Sequence, residues 1–270
     1  MRFSRHYYVL VGVIFIVLSV LATVLPETAG NFVNLLAWLL VVAISGSLLA
    51  TMWVYDVSNL YTMPWLNHDS FAGIYSILNV HAGYDESSAI LKQKFPHARL
   101  VIADFYNPEK HTERSIRIAR QAYKPYPGTL PISTSQVPLA DGNVDLVCGF
   151  LWMHEIRDEV ERIEFLKEMY RVLHSGGRAA VTEHLRNLPN FVVYNLGFLH
   201  FLPKRKWLAA FAAAGFYGRE AGENNGICNY FYSPKGMTIH IQVIVWLLVV
   251  LALVHIFSPG TLIGKVSCKA

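Results

Sequence analysis

Four polar side chains at the ends of two apolar runs could move protons. His154 and Glu155 follow one run, and Glu183 and His184 close the next. Imidazole and carboxylate groups take protons from hydroxyls, amines and activated carbons, so we predict catalytic roles for His154, Glu183 and His184. A structural helix-cap role for His154 is an equal alternative. Two histidines with two acidic residues also resemble a metal set, but the HExxH spacing is missing and no metal is predicted.

A nucleotide-binding turn is predicted in the stretch SILNVHAGYDESSAIL, residues 76–91, where a strand, a turn and a helix follow one another. Gly83 can supply the positive φ or the close backbone approach that a nucleotide needs. His81 and Tyr84 fill space that a pyrophosphate would occupy, which disfavours NAD and FAD. Asp104 ends the next strand and is placed to accept both hydroxyls of a ribose, with a turn or helix-cap carboxylate as the alternative.

The acidic residues Asp85 and Glu86 lie near the start of the predicted helix. They could hold a cationic group such as an amine or a sulfonium, or they could complement the helix dipole. In open α/β sheets, ligands bind beyond the carboxyl ends of the strands. We therefore expect the site along one rim of the sheet, formed by residues 79–86, Asp104 and Phe105, His154 and Glu155, and Glu183 and His184.

The elements that position these residues follow an alternating pattern between residues 56 and 235. Short apolar runs alternate with amphipathic stretches, which is typical of a parallel sheet covered by helices. The strands are predicted at residues 75–80, 98–106, 144–156, 177–185 and 229–234, and the helices at 87–96, 109–123, 158–173 and 204–216.

Both ends of the chain are strongly apolar. Apolar residues make up 53% of the chain and charged residues 16%, and the mean hydropathy is +0.33. Three stretches, residues 7–25, 32–54 and 237–257, are long enough to span a bilayer. A cleaved signal peptide is the alternative for the first, and buried core helices are the alternative for each. The predicted domains are a transmembrane hairpin (1–54), an α/β domain (55–236), a C-terminal transmembrane helix (237–258) and a tail (259–270).

The placement of lysine and arginine predicts the orientation in the membrane. Arg2 and Arg5 precede the first stretch, the hairpin loop carries only Glu27, and most other basic residues lie in the middle of the chain. The N-terminus and the α/β domain are therefore expected in the cytoplasm, in a protein of the bacterial inner membrane. The net charge of +4 fits a domain on an anionic lipid surface and not a nucleic-acid binder.

Two longer segments carry a resemblance to a known family. VPLADGNVDLVCGFLWMHEI and MYRVLHSGGRAAVTEHL, in this order of elements, resemble class I S-adenosylmethionine-dependent methyltransferases. The family motif matches Pro138, Asp141, Asp145, His154, Arg171, Gly176, Gly177 and Glu183. The resemblance implies a Rossmann-like domain with a mostly parallel seven-stranded sheet, and S-adenosyl-L-methionine as the cofactor.

The resemblance also implies which residues bind that cofactor. They are Asn79, His81, Gly83, Asp85, Asp104, Phe105, Ser133 and Leu151. The sequence departs from the family at the glycine-rich turn, which has one glycine, and at Ser133, where the family often has an acidic residue for the adenine amine. A catalytically inactive membrane scaffold therefore stays an alternative.

The acceptor of the methyl group is expected at the bilayer surface. Tyr55, Tyr61 and Trp65 follow the second apolar stretch, and Tyr194 lies in a segment where the family commonly places substrate recognition. We predict that these four bind a hydrophobic acceptor such as a quinone, an isoprenoid or a lipid headgroup. An interfacial aromatic belt is the compatible alternative for the first three. A small thiol or chalcogen compound is the alternative acceptor.

Overall fold

The computed structural model describes residues 5–57, 60–67, 71–216 and 227–232. These residues divide into two compact units, with the change at Met52 and Trp53. The first contains two long helices, and the second contains a sheet with its helices.

The first unit contains a helical hairpin. Helix α1 spans Arg5–Val24 and helix α2 spans Glu27–Met52. The helices pack closely at Gly30, where an added Cβ would lie 2.5 Å from the carbonyl oxygen of Ala22. Small residues allow this close approach in apolar helix pairs.

One helix of the described residues is long and apolar enough to cross a membrane, namely Glu27–Val57, which combines α2 with the π-helical turn that follows it. The apolar part of α1, Val9–Val24, is shorter than a span. The third predicted span, residues 237–257, and the tail lie outside the described residues.

The second unit is built on a parallel sheet. Its strands are β1 (Ser76–His81), β2 (Arg99–Asp104), β3 (Leu130–Pro131), β4 (Val144–Phe150), β5 (Leu173–His184) and β6 (Ile227–Tyr232). Its α-helices are α3 (Ser88–Lys94), α4 (Arg114–Ala122), α5 (Glu159–Val172), α6 (Leu188–Tyr194) and α7 (Lys204–Ala213). The predicted alternation of strands and helices is confirmed. β3 and α6 were not predicted.

The strand order is β3-β2-β1-β4-β5-β6, and all neighbours are parallel. This is the order of a doubly wound Rossmann-like sheet. The described residues form six strands and not the seven that the resemblance implied. The periodicity of the sequence had indicated only five, because β3 is a two-residue edge strand. The order in which successive strands are added reverses between β1 and β4. The carboxyl ends of these two strands therefore frame the usual ligand crevice.

Buried apolar side chains and the hydrogen bonds of two charged residues stabilise the sheet. Helix α5 and Trp207 of α7 belong to the hydrophobic core with β1, β4 and β5. Asp145 accepts hydrogen bonds from the backbone amides of Tyr75 and Ser76, and so ties the start of β4 to the start of β1. Arg171 donates to the carbonyl oxygens of Val137 and Leu139 and fixes the loop before β4. The rim at which the site was predicted lies at the opposite end of the sheet from Asp145.

Candidate functional site

The turn after β1 is held by a buried network of short-range hydrogen bonds. The side chain of Asn79 is buried, and its Nδ2 donates to the hydroxyls of Ser87 and Ser88, at 2.8 Å each. Oδ1 of Asp85 accepts from the backbone amides of Ser87 and Ser88, at 3.0 and 2.8 Å. These are free N–H groups at the start of α3, so this oxygen caps the helix. Asn79 and Asp85 thus shape the turn that is rich in glycine in the family that the sequence resembles.

Two buried polar atoms of this turn have no hydrogen-bond partner among the described residues, Nε2 of His81 and Oδ2 of Asp85. Burial lowers the pKa of His81, and this outweighs the charges of Asp85 and Asp104. Nδ1 of the neutral ring accepts from the amide of Gly83 at 3.2 Å, so Nε2 carries the proton. The turn therefore offers one unused donor and one unused acceptor.

Gly83 and Asp104 are both in contact with Arg120 of α4. Gly83 has φ +95°, and an added Cβ would lie 2.6 Å from Nη1 of Arg120. The same guanidinium donates to Oδ2 of Asp104 at 2.6 Å and lies 4.3 Å from the ring centroid of Tyr106. The close approach that the glycine permits is therefore used by an arginine of this chain.

Asp104 keeps room for further donors. It is largely buried, and its other oxygen accepts from the amide of Tyr106 at 2.9 Å. A carboxylate accepts about four hydrogen bonds. The predicted ribose contact of Asp104 is therefore compatible with its two partners, provided that the hydroxyls share the carboxylate with Arg120.

The remaining predicted cofactor residues lie around this rim with different exposures. Phe105 points into the core, where its ring centroid lies 5.1 Å from that of Phe165, so it offers no side chain to the rim. Ser133 is exposed after β3 and bonds to Ser135. Leu151 follows β4 with φ +61°, a rare conformation for a branched residue, and turns the chain sharply toward the rim.

Glu183 and His154 form a buried charged pair at the ends of β5 and β4. Oε1 of Glu183 accepts from the amide of Met153 at 2.6 Å, and Oε2 lies 2.7 Å from Nδ1 of His154. Burial acts to lower the pKa of His154, but the charge of Glu183 and hydrogen bonds to Glu183 and Glu155 outweigh it and raise the pKa to about 10. An imidazolium is no proton acceptor, which argues against His154 as the base.

His184 lies in a different environment and stays neutral. Burial, and then the charge of His154, lower the pKa of His184 to about 3. Its Nε2 lies 3.1 Å from the hydroxyl of Tyr55 and 3.0 Å from that of Tyr194, and the two hydroxyls are 2.8 Å apart. The structure thus joins one predicted catalytic residue with two predicted substrate residues.

Tyr61 is a further aromatic residue of the predicted substrate site. Tyr61 donates to Glu86 at 2.8 Å, and its ring lies 5.6 Å from that of Phe150. Burial raises the pKa of Tyr61, with the charge of Glu86 adding to it, and burial also raises the pKa of Glu86. The side chain of Trp65 lies outside what the structure describes.

Three residues of the rim were not predicted from the sequence. Arg120 lies against Gly83 in the turn after β1 and donates to Asp104. Phe201 lies between the rings of His154 and His184 at 5.4 and 4.9 Å, and His200 lies 3.5 Å from Glu155. All three come from helices or turns far along the chain from the residues that they contact. Their residue types alone gave no signal.

Residues 78–181 match the family model described as a methyltransferase domain. This segment is less than half of the 270 residues and runs from β1 into β5. Its boundaries enclose most of the two motifs that carried the resemblance. No curated protein matches the chain.

Solved structures similar to this chain include three bacterial proteins. A candidate O-methyltransferase of Nostoc punctiforme is 16% identical, with a TM-score of 0.45, and the alignment covers 67% of this chain and 55% of that one. A candidate methyltransferase of Bacillus halodurans is 18% identical, with a TM-score of 0.41 and coverages of 59% and 70%. A SAM-dependent methyltransferase of Aquifex aeolicus is 16% identical, with a TM-score of 0.41 and coverages of 62% and 87%. The chain spans about half the length of the first.

Proposed function

We propose that the protein is a membrane-anchored methyltransferase that uses S-adenosyl-L-methionine and acts on a hydrophobic acceptor at the bilayer. The observation that carries the proposal is the unused donor and acceptor in the turn after β1. Nε2–H of His81 fits the carboxylate of the methionine part, and Oδ2 of Asp85 fits its ammonium group. Asp104, at the end of the neighbouring strand, would accept the ribose hydroxyls.

When bound, the cofactor supplies an electrophilic methyl group on a sulfonium. The residues of this chain position the acceptor, and holding two reactants in line supplies much of the rate of such a displacement. His184, Tyr55 and Tyr194 form the polar centre of an aromatic surface that suits a planar or hydrophobic acceptor. Neutral Nε2 of His184 can accept a hydrogen bond from an acceptor hydroxyl and so orient it.

The membrane location of the acceptor rests on the neighbouring helix. Tyr55 follows the last residue of α2 by three positions, and Glu27–Val57 is long and apolar enough to cross a bilayer. Lysine and arginine placement favours a cytoplasmic α/β domain. A quinone, an isoprenoid ring or a lipid headgroup amine would meet the site at this surface, whereas a small thiol or chalcogen compound would not need the anchor.

A scaffold without cofactor is the rival function. It is favoured by Arg120, which covers Gly83 and pairs with the carboxylate that a ribose requires. In that case the match over residues 78–181 reflects the fold alone.

Calorimetric titration of the full-length protein in detergent with S-adenosylmethionine and S-adenosylhomocysteine separates the two functions. Binding is expected, and Asp104→Ala should weaken it by more than about tenfold, because two hydrogen bonds to a charged group are lost. Asp141→Ala removes an exposed carboxylate away from the rim and should leave the affinity unchanged. Absence of binding at millimolar ligand would overturn the enzyme proposal.

The acceptor is then identified from lipids. Extracts of cells with and without the protein are compared for a mass difference of one methyl group in a quinone, isoprenoid or headgroup fraction. A shifted species that disappears in the Asp104→Ala strain supports the membrane acceptor. A shift found only among water-soluble thiols would replace it with the small-molecule alternative.

A further inference from the structure

A second polar cluster includes two residues of the rim and is not used by the proposed reaction. It consists of His154, Glu155 and His200, and one ligand atom of each lies within 4.8 Å of the other two. His154 and Glu155 are buried in the turn after β4, and His200 ends the 3₁₀ turn after α6. We propose that these three residues bind a divalent transition-metal ion of the zinc type.

The distances in the cluster suit a metal. Nε2 of His154 lies 3.4 Å from Oε1 of Glu155, and Nε2 of His200 lies 3.5 Å from the same oxygen. Ligand atoms about 2.1 Å from a tetrahedral ion lie about 3.4 Å apart. Two of the three ligand separations therefore already have the length that a metal would set.

The outer partner of His154 has the arrangement that metal-binding histidines show. Nδ1 of His154 lies 2.7 Å from Oε2 of Glu183, so this nitrogen donates to the carboxylate and Nε2 faces the cluster. A carboxylate behind the ring orients it and makes the inner nitrogen a better ligand.

The ligand types select the metal. Two imidazoles and one carboxylate suit Zn²⁺ and Co²⁺, whereas Mg²⁺ and Ca²⁺ prefer oxygen alone. Three protein ligands leave a fourth position for water or a substrate oxygen. Phe201 lies beside both His154 and His184, so that position is one ring away from the proposed acceptor site.

Arg157 opposes the metal and gives the test its sharpest variant. Its guanidinium contacts Nδ1 and Nε2 of His200 and lies 3.6 Å from Oε1 of Glu113. This cation would repel the metal and must move off the ring for the ion to bind. Arg157→Gln should therefore bind the ion several-fold more tightly.

The experiment uses the full-length protein without a histidine tag, stripped with a chelator and dialysed. Zinc content per chain is measured after Zn²⁺ is added and the excess removed, and Co²⁺ titration is followed by visible absorption. One ion per chain is expected. His200→Ala and Glu155→Gln should each weaken binding by more than about 100-fold, beyond the range of changes in outer partners.

His97→Ala is the matched control, because it removes an exposed histidine of the same domain that is distant in sequence from the cluster. It should bind Zn²⁺ as the wild type does. His200 is partly exposed, so its loss should leave the fold intact, which a thermal melt of the stripped protein verifies. A wild type without stoichiometric zinc, a His200→Ala protein that binds normally, or equal loss in His97→Ala would overturn the site.

Discussion

Two polar regions of the rim are built in opposite ways. The turn cluster, formed by Asn79, His81, Asp85, Ser87 and Ser88, is held by hydrogen bonds between residues two to nine positions apart. The histidine cluster, formed by Tyr55, His154, Glu183, His184 and Tyr194, joins residues up to 139 positions apart. The turn cluster is a local motif, because all its residues lie within one short segment of the chain. The second exists only when the sheet has formed.

The difference determines how each region handles charge. The hydrogen bonds of the turn cluster join neutral amides and hydroxyls to Asn79 and to one oxygen of Asp85, and Nε2 of His81 and Oδ2 of Asp85 have no partner among the described residues. The histidine cluster places a full ion pair, Glu183 with His154, next to a neutral histidine only one strand end away. Removal of a single group should therefore be costlier in the histidine cluster.

The largest expected effect is that of Glu183→Gln. The change removes the carboxylate on Nδ1 of His154 and leaves the buried imidazolium with Glu155 alone. Breaking a buried ion pair costs up to about 3–5 kcal/mol of the free energy of unfolding. Chemical denaturation of the full-length protein in detergent measures it. Glu164→Gln, which removes an exposed partner of Lys167, is the control and should cost less than about 1 kcal/mol. Equal losses for both variants would contradict the difference between the clusters.

Gly83→Ala tests the turn cluster and comes next in size. A side chain with φ +95° next to Arg120 is strained, and we expect a loss of about 1–3 kcal/mol. In an Arg120→Ala background the steric part disappears and only the cost of the positive φ remains. A thermodynamic cycle of the single and double variants measures the coupling. If the two losses simply add, the guanidinium does not occupy the space that the glycine leaves.

His184→Gln tests the neutral histidine through pH. The pKa of His184 is lowered from 6.5 to about 3 in the folded protein, so the unfolded chain binds the extra proton between these values. Stability therefore falls as the pH falls through this window, by up to about 1.4 kcal/mol per pH unit from this group. The variant should have a flatter stability curve between pH 6.5 and 4. Parallel curves would show that His184 titrates normally in the folded state.

Tyr55→Phe and Tyr194→Phe should have the smallest individual effects, about 0.5–1.5 kcal/mol each. Each variant keeps one hydroxyl on Nε2 of His184, because the two tyrosines share that atom. The double variant removes both and should lose more than the sum of the two. Denaturation of the three variants measures this, and strict additivity would mean that the hydroxyls do not substitute for one another.

The sequence predicted the parts of the fold that depend on short distances along the chain. Strand and helix periodicity located β1, β2 and α5 closely, and the position of Asp104 at a strand end followed from it. The predicted strand 144–156 ends at Phe150, before a 3₁₀ turn, and β5 begins at Leu173, before the predicted residue 177. It missed the strand Leu130–Pro131, which is too short to show alternation. The resemblance overestimated the number of strands relative to the described residues.

The site was predictable only in part for the same reason. His184, Tyr55 and Tyr194 were chosen separately, and their common hydrogen bonds depend on tertiary packing. His154 was predicted to accept a proton, but the buried charge of Glu183 raises its pKa. The partner of Gly83 was expected to be a ligand and is a side chain of α4. The charge state of these side chains and the partners that they contact depend on burial in the folded protein, which residue spacing does not reveal.

Arg171 has a consequence for how such a protein is recognised. Its guanidinium clamps two carbonyls and two carboxylates, those of Glu168 and Asp141, and the clamp joins the two segments that resemble the methyltransferase family. Arg171 therefore serves the folding of both segments. A protein of this fold without catalytic chemistry would keep the Arg171 contacts for as long as it kept its structure, whereas the turn after β1 would be free to change first.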